Sequence, residues 1–563
     1  MARAQQGGGG GGSLYYEIAN FQAGMDLRKS PLTAPAGTLR LLENAHVTSG
    51  GEIEKRQAFV EWCQAPAGSI GLCSINNQVY THVMGGAPGT IVPPTDTSVG
   101  VIYIAAPCSR ILLSAQISGT TMTVLSVSGG TLAVGTQIIG TGVSPNTVIT
   151  VVQANNTYTV TPSQTSFPSG AVGPPVGTAL TFQLDYDVFD GQIYAVFSAQ
   201  DGHPYHYYNG IQVVQANDHG INVRTYKEKM YGVYGRYLYF SAIGDPTVWE
   251  DPSPDTAGNV ESNGSGFINL GAQDSDSEQM ISLEVYYDKM ALFSTLSCQL
   301  WFLDPKPDNN QYYQTLRDAG TIAMGSVRQY VASDVYFLGN HGIRSLRARD
   351  LSLTAAVADV GSPLDPVVQQ LLNDRGAFSG AWQTQTILNP RTGRIWYTFV
   401  DRIYLLSNYA SPNISAWSVY NPGFSVDIQG IVFADPYMCL RDTTGMIYRY
   451  GTLGEPIYDA SPVTITTPFL SFDKPATYKF YQGFDAICSN DPGSTWSVQA
   501  SFDPTVDPTP YDQICVCDGP TIMEGRIPIS GRGTHIQLNI THAAPGAATF
   551  SKLFIHYAPS DTG

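Results

Sequence analysis

Between residue 184 and about 452 the chain keeps returning to one pattern, a short aromatic-rich strand closed by a turn. Gly191-Gln192-Ile193-Tyr194-Ala195-Val196-Phe197 and Arg236-Tyr237-Leu238-Tyr239-Phe240-Ser241 are two instances. Lys289–Ser294 with Gln299–Phe302, Asp334–Leu338, Gly393–Phe399 and Gly445–Tyr450 continue the series. Successive groups start roughly 45–55 residues apart, close to the ~40–50 residues of one propeller blade. Alternating apolar residues in runs this short cannot form helices of useful length, but they suit half-buried strands. The pattern predicts an all-β protein with a β-propeller-like body of about six or seven blades. It carries no Trp-Asp or kelch signature, and a multi-sheet sandwich is the structural rival. The one helix expected is Pro363–Asp374, where Val367, Val368, Leu371 and Leu372 fall at helical spacing.

The rest of the chain divides by composition. Residues 1–13 carry the Gly7–Gly12 run and read as a flexible leader. Residues 14–108 read as N-terminal platform strands and the first propeller blade or blades. Residues 109–183 are almost uncharged, rich in Thr, Val, Ser and Gly, and read as a small inserted β (Ig-like) domain. Their flanks, Ala105-Ala106-Pro107 and Phe182-Gln183-Leu184, look like two halves of one interrupted β region. The propeller is placed at 184–454. Residues 455–563 read as a C-terminal β-sandwich platform, with strands such as Trp496–Phe502 and Leu553–Tyr557 separated by Asp-Pro turns.

Charge narrows the function. Only 13% of residues are charged and the net charge is −17. Phosphate contacts need Lys and Arg, so an acidic chain is a poor reader of nucleic acid. An acidic or neutral conduit could still let DNA slide without sticking. Low charge with 33 tyrosines also suits large permanent subunit contacts. The eight cysteines are scattered, so buried thiols are expected rather than a disulfide framework. No secretory signal is read at the start, and no apolar run approaches the ~20 residues of a membrane span.

A signature lies near the start: Phe21 and Gly24, then Pro31, then Asn44, then Gly51, Lys55 and Arg56. Read locally, Gly50-Gly51 is a hairpin turn, and Lys55-Arg56 can be solvated charges guarding a sheet edge. Read together, the segment resembles the opening of the tail nozzle (tail tubular B-type) proteins of short-tailed bacteriophages. Lys227–Asp251, with Leu238-Tyr239-Phe240-Ser241 before Asp245-Pro246-Thr247-Val248-Trp249, resembles a blade of the same family. The insert resembles a β module of phage structural proteins. This resemblance implies a non-enzymatic virion protein, assembled in a host cytoplasm into a ring of usually six subunits. It further implies an adaptor ring above, tail fibres or spikes alongside, and genomic DNA in transit through a central channel without sequence-specific binding. Stable membrane insertion is not expected.

Other motifs bear on chemistry. Ser489-x-Asp491-x-Gly493-x-x-Trp496 fits the Asp box of sialidase-like propellers, a structural turn, and is read as a convergent β-hairpin. Asp185, Asp187, Asp190, Asp274, Asp276 and Glu278 are candidate acids for a glycosidase, which needs a carboxylate pair, but nothing singles out two of them. Asp185-x-Asp187-x-x-Asp190-Gly191 hints weakly at calcium. Cys515-x-Cys517 and His203-x-x-His206 lack the partners of a zinc site. Phosphate-cradling glycine loops and a nucleophile elbow are missing. The expectation is therefore no catalytic, metal or cofactor-binding residues and no cofactor. The alternative function is a receptor-binding or glycan-processing tail propeller, with His203-Pro204-Tyr205-His206-Tyr207-Tyr208 as its first place to look.

Overall fold

Asp190-Gly191 and Lys227-Glu228 both turn with positive φ at their two central positions. That is the mirror-image turn whose twist matches antiparallel strands, and each closes a hairpin in the computed structural model of the protein. The structure describes residues 3–5, 14–65, 69–84, 90–91, 102–108, 112–128, 132, 134, 144, 147–172, 183–198, 204–208, 212–215, 220–249, 262–273, 278–330, 334–351, 359–374, 384–409, 411, 413–424, 426–451, 455–502, 514–517, 519–521 and 527–559. Of the leader, Arg3–Gln5 is described and is a strand rather than a flexible segment, paired with Leu14–Ile18; the Gly7–Gly12 run, His203, Asp274 and Asp276 lie outside these residues.

The protein is all-β with a propeller body. Among the described residues, seven sheets follow one another in chain order. Their inner strands are Ser69–Ile75, Gln183–Phe189, Val223–Tyr226, Met280–Tyr286, Arg328–Tyr330, Thr386–Asn389 and Ile428–Ala434. Each inner strand packs on the next, and the last packs on the first, so the ring closes. Closure has a covalent logic as well. The seventh blade takes Ile428–Ala434, Tyr437–Asp442 and Met446–Tyr450 from late in the chain, and its outer strand, Phe59–Gln64, from early in it. Chain ends that share one blade cannot separate without breaking its ladder. The aromatic segments picked out in the sequence are middle or outer strands of these blades.

The fifth blade has three strands, and two helices follow it: Leu346–Leu351 and Asp365–Asp374. The second falls within the predicted helix and buries Val368. The first was not expected; at six residues it is too short to show a helical period.

The platform is a sandwich whose strands come from both ends of the chain. One sheet orders Arg3–Gln5, Leu14–Ile18, Ala548–Pro559, Lys479–Asn490 and Gly531–Gly533, with the hairpin Ala45–Val47/Ile53–Lys55 added to Ala548–Pro559. The facing sheet orders Leu41–Glu43, Val463–Thr466, Ile536–His542, Trp496–Phe502 and Ile514–Cys517. It does not stop at its edge. Leu41–Glu43 pairs in parallel with Ile414–Tyr420, the outer strand of the sixth blade, which makes a single nine-stranded sheet. The core is equally continuous: Trp417, Tyr397 and Leu406 of the sixth blade pack in one cluster with Phe21, Trp496, Ile540 and Phe550 of the platform.

The insert is a three-stranded antiparallel sheet of Leu112–Ser128, Thr157–Val172 and Val148–Val152. Ala115, Ile117, Met122, Val124, Ile149 and Val160 give it a core of its own. Its flanks are not halves of one interrupted strand region. Ile102–Cys108 belongs to the first blade and Gln183–Phe189 opens the second, so the insertion falls between blades.

An aromatic cluster locks the closure. Trp396 stands edge-on to Tyr420 at 5.5 Å, to Tyr450 at 4.9 Å and to Phe59 at 6.2 Å, joining the sixth blade, the seventh blade and the closing strand. Trp396→Ala is expected to cost about 3–5 kcal/mol, read as a lowered denaturant midpoint. A midpoint unchanged from wild type would show that closure does not depend on this cluster.

Candidate functional site

Three of the signature residues, Gly24, Asn44 and Arg56, meet the sixth blade at a buried joint between propeller and platform, and the other four hold the platform beside it. Asn44 leaves Leu41–Glu43 with φ +55, a conformation Asn tolerates better than most residues. That turn aims its amide inward. Its Oδ1 accepts from Arg56 Nε at 2.9 Å and from the Asn421 N–H at 2.8 Å, and its Nδ2 donates to the Pro462 carbonyl at 2.9 Å. Arg56 is fully buried. Its guanidinium also donates to Asp459 Oδ2 and the Gln57 carbonyl at 2.8 Å each, to Ser461 Oγ at 2.7 Å and to the Asn421 carbonyl at 3.0 Å. It lies 4.9 Å from the centre of the Phe59 ring, at the start of the closing strand. Lys55 points the other way and donates to the carbonyls of Asp459 at 2.8 Å and Ala544 at 2.5 Å. Neither cation is a solvated edge charge. Each is buried and held by acceptors from distant chain segments.

The other signature positions brace the same joint. Gly51, at φ +82, turns the hairpin whose carbonyl receives the Phe21 N–H at 3.0 Å. Phe21 is wholly buried, 6.1 Å from Phe550. Gly24 sits at φ +56 against Trp417, and a Cβ there would fall 2.7 Å from the Trp417 backbone nitrogen. Only glycine meets both demands. Pro31 contributes its carbonyl, which accepts from the Phe469 N–H at 2.9 Å. The partners Asn421, Asp459 and Ser461 were missed in the sequence. Asp459-Ala460-Ser461-Pro462 reads there only as a turn.

His46 lies beside the joint. Its Nδ1 is 2.8 Å from the Tyr420 hydroxyl, and its Nε2 is 3.4 Å from the Glu54 carboxylate. Burial, reinforced by the nearby Arg394, pushes its pKa down to about 4.

The candidate acids lie along the propeller axis or at its rim. Asp185, on the inner strand of the second blade, accepts from Asn222 Nδ2 at 2.6 Å, the Val223 N–H at 2.9 Å and Arg224 at 2.7 Å. Arg328 of the fifth blade approaches it to 3.7 Å. Arg224 Nε donates to Glu284 at 2.9 Å. Asp187 accepts from the Val188 and Thr225 N–H groups, and burial raises its pKa. Asp190 is exposed in its hairpin turn, and Glu278 caps the Ser294–Leu296 turn. Asp185 Oδ2 and both Asp187 oxygens thus accept from protein donors. Among the described residues no group of three His, Cys, Asp or Glu is placed to hold a metal.

Similar bonds cross each blade boundary near the axis. Ser74 reaches Tyr186 Oη at 3.2 Å and donates to the Phe433 carbonyl at 2.8 Å, joining the first blade to the second and seventh. Ser282 donates to the Met324 carbonyl at 3.2 Å, and Arg328 to the Thr386 carbonyl at 3.2 Å. Gln385 accepts from the Ile431 N–H at 2.9 Å. A small cavity of about 70 Å³ opens between the fourth and fifth blades, beside Leu296, His341 and Arg344. It is well below the ~300 Å³ of ordinary ligand sites, and Arg344 is held by Asp365 at 2.7 and 3.0 Å.

The Asp box is not a hairpin. Lys479–Asn490 and Trp496–Phe502 belong to opposite sheets of the platform, so the turn arches between them. Asp491 accepts from the Ala547 N–H at 2.9 Å, Gly493 takes φ +85, and Trp496 is buried 5.4 Å from Phe550. His206 lies on Pro204–Tyr208 and Cys517 is buried.

No family model matches this chain, and no curated protein does. Solved structures resemble it in part. The computationally designed Ika8 protein is 12% identical, covering 70% of this chain and 99% of its own, with a TM-score of 0.33. The β-propeller domain of Myceliophteria thermophila Cps50 (Swd1) is 9% identical, covering 65% of this chain and 99% of its own, with a TM-score of 0.30. BamB from Moraxella catarrhalis is 9% identical, covering 50% of this chain and 86% of its own, with a TM-score of 0.30. The propeller described above rests on the chain's own strand pairing.

Two outcomes follow from the joint. Arg56→Ala removes donors from several inward-facing acceptors and should cost about 3–5 kcal/mol. Limited proteolysis should then cut near Asp459 or Asn421 before the blades; cutting at the wild-type sites and rate would refute the joint's role. In the unfolded chain His46 binds a proton near its ordinary pKa of about 6.5, and in the fold only near 4. Its contribution is thus intact above pH ~6.5 and is lost as pH falls towards 4, by roughly 3 kcal/mol in all. His46→Gln should flatten that part of the stability–pH curve, and an unchanged slope would show that His46 does not set it.

Proposed function

We propose that this protein is a structural subunit of a virion, a nozzle-type ring component at the distal end of a short phage tail. The reading rests on one observation: of the residues that carry the family resemblance, Gly24, Asn44 and Arg56 tie the sixth blade to the platform, while Phe21, Pro31, Gly51 and Lys55 hold platform segments together. The geometry supports a load-bearing role in two further ways. The sixth blade continues into the platform sheet, and the blades are cross-linked near the axis by buried polar bonds. Force applied to the platform would pass directly into the propeller wall.

In this reading six copies form a ring below an adaptor. Fibres or spikes attach at the side, and DNA leaves through the opening between subunits, not along the packed axis of any one propeller. The net charge of −17 suits a passage that must not retain phosphates. Native mass spectrometry and negative-stain imaging of the purified full chain test this reading. A six-fold ring with an axial opening is the expected result. A trimer, or a monomer that degrades host surface polysaccharide, would overturn it in favour of a receptor-directed or glycan-processing propeller.

A further inference from the structure

The platform holds two thiols face to face across its core. Cys488 lies on Lys479–Asn490 of the seven-stranded sheet, and Cys517 ends Ile514–Cys517 at the edge of the nine-stranded sheet. Their sulfurs are 3.6 Å apart, and both residues are buried, at 3% and 2% exposure. Both thiols also donate to one acceptor, the Gly519 carbonyl, at 3.4 Å from Cys488 and 2.8 Å from Cys517. That shared acceptor points the two S–H groups to the same place. Neither cysteine is used by the joint or by the axial network.

We propose that Cys488 and Cys517 are a site of oxidative modification, a latent disulfide that staples the two sheets of the platform. A disulfide needs its sulfurs at about 2.05 Å, so the pair, at 3.6 Å, must close by roughly 1.5 Å. The oxidant is a peroxide. Access comes through the edge: among the described residues the four-residue strand Ile514–Cys517 pairs with one neighbour, Trp496–Phe502. Short edge strands open locally at little cost.

The chemistry balances without a further reactant. The Cys517 thiolate attacks one oxygen of hydrogen peroxide, the O–O bond breaks, and a sulfenic acid forms with release of hydroxide. The Cys488 thiolate then attacks the Cys517 sulfur, the S–O bond breaks, and a second hydroxide leaves. The two thiol protons convert both hydroxides to water, so two thiols are oxidised to one disulfide as one peroxide is reduced. The bond would close a loop between residues 29 apart in sequence. Closing a loop of that length removes entropy from the unfolded chain and so stabilises the platform.

The experiment is peptide mapping of the full chain after brief exposure to hydrogen peroxide under native conditions, compared with a sample kept in reductant. Thiols are blocked after denaturation, and digests are read without reduction. A Cys488–Cys517 linked peptide, two hydrogens lighter than its parts, is expected. Titratable thiols should fall by two from the eight in the sequence. The melting temperature should rise by on the order of 5 °C. Cys488→Ser and Cys517→Ser should each abolish both the peptide and the peroxide-dependent rise. Both cysteines recovered separately blocked, singly over-oxidised, or linked to any other cysteine such as Cys515 would overturn the proposal. If a serine variant fails to fold, the wild-type map alone decides.

Discussion

A guanidinium with no exposed surface must find a protein acceptor for each of its directions, and Arg56 finds them on segments that are far apart in sequence. Asn44 is 12 residues away, Asn421 is 365 and Ser461 is 405. An unpaired buried cation is among the costliest defects a fold can hold. The N-terminal hairpin, the end of the sixth blade and the entry to the C-terminal platform must therefore all be in place before Arg56 can be buried. Here a buried charge acts as a condition on assembly more than as a source of stability. The closing strand of the propeller begins three residues later, at Phe59, so the same condition fixes where the ring shuts.

The axis applies the same logic on a larger scale. Inner strands of a propeller have no ladder partner towards the axis, so their side chains are what cross from blade to blade. In this chain several of those side chains are polar. Asp185, Arg224 and Glu284 alternate in sign across three consecutive blades, and Arg328 approaches Asp185 from the fifth. Each charge is neutralised by a neighbour on another blade, so loss of one blade would leave charges exposed to each other on the rest. The propeller is made cooperative by electrostatics as well as by its shared ladder in the seventh blade.

How far the fold could be read from sequence depended on whether the signal was local. Strand alternation, Asp-Gly turns and the Val367–Leu372 spacing are local, and they gave the fold class, the propeller rhythm and the second helix. Pairings between distant segments left no such mark. Lys55-Arg56 looks the same in sequence whether it guards an edge or fills a joint, because the acceptors that decide the matter lie some four hundred residues on. The Asp box shows the same limit: Asp491, Gly493 and Trp496 specify a tight turn, but whether its arms pair with each other or with opposite sheets is settled by Ala548–Pro559 and Ile536–His542. The insert was recognisable by composition, and its place between two blades required knowing which strands flank it.

The same limit separates the two functional readings where they meet, at the acids of the axis. A glycan-processing site needs carboxylates with free oxygens facing a substrate. At Asp185 a backbone N–H, an amide and a guanidinium converge on Oδ2 while Arg328 stands 3.7 Å from Oδ1, and Glu284 takes a guanidinium and the Val285 N–H at 3.0 Å. Turning either toward a sugar would strip Arg224 of a partner while it remains buried, at a cost of several kcal/mol. Asp185, which reads in sequence as a candidate acid, is thus bound into the polar network that joins the blades at the axis.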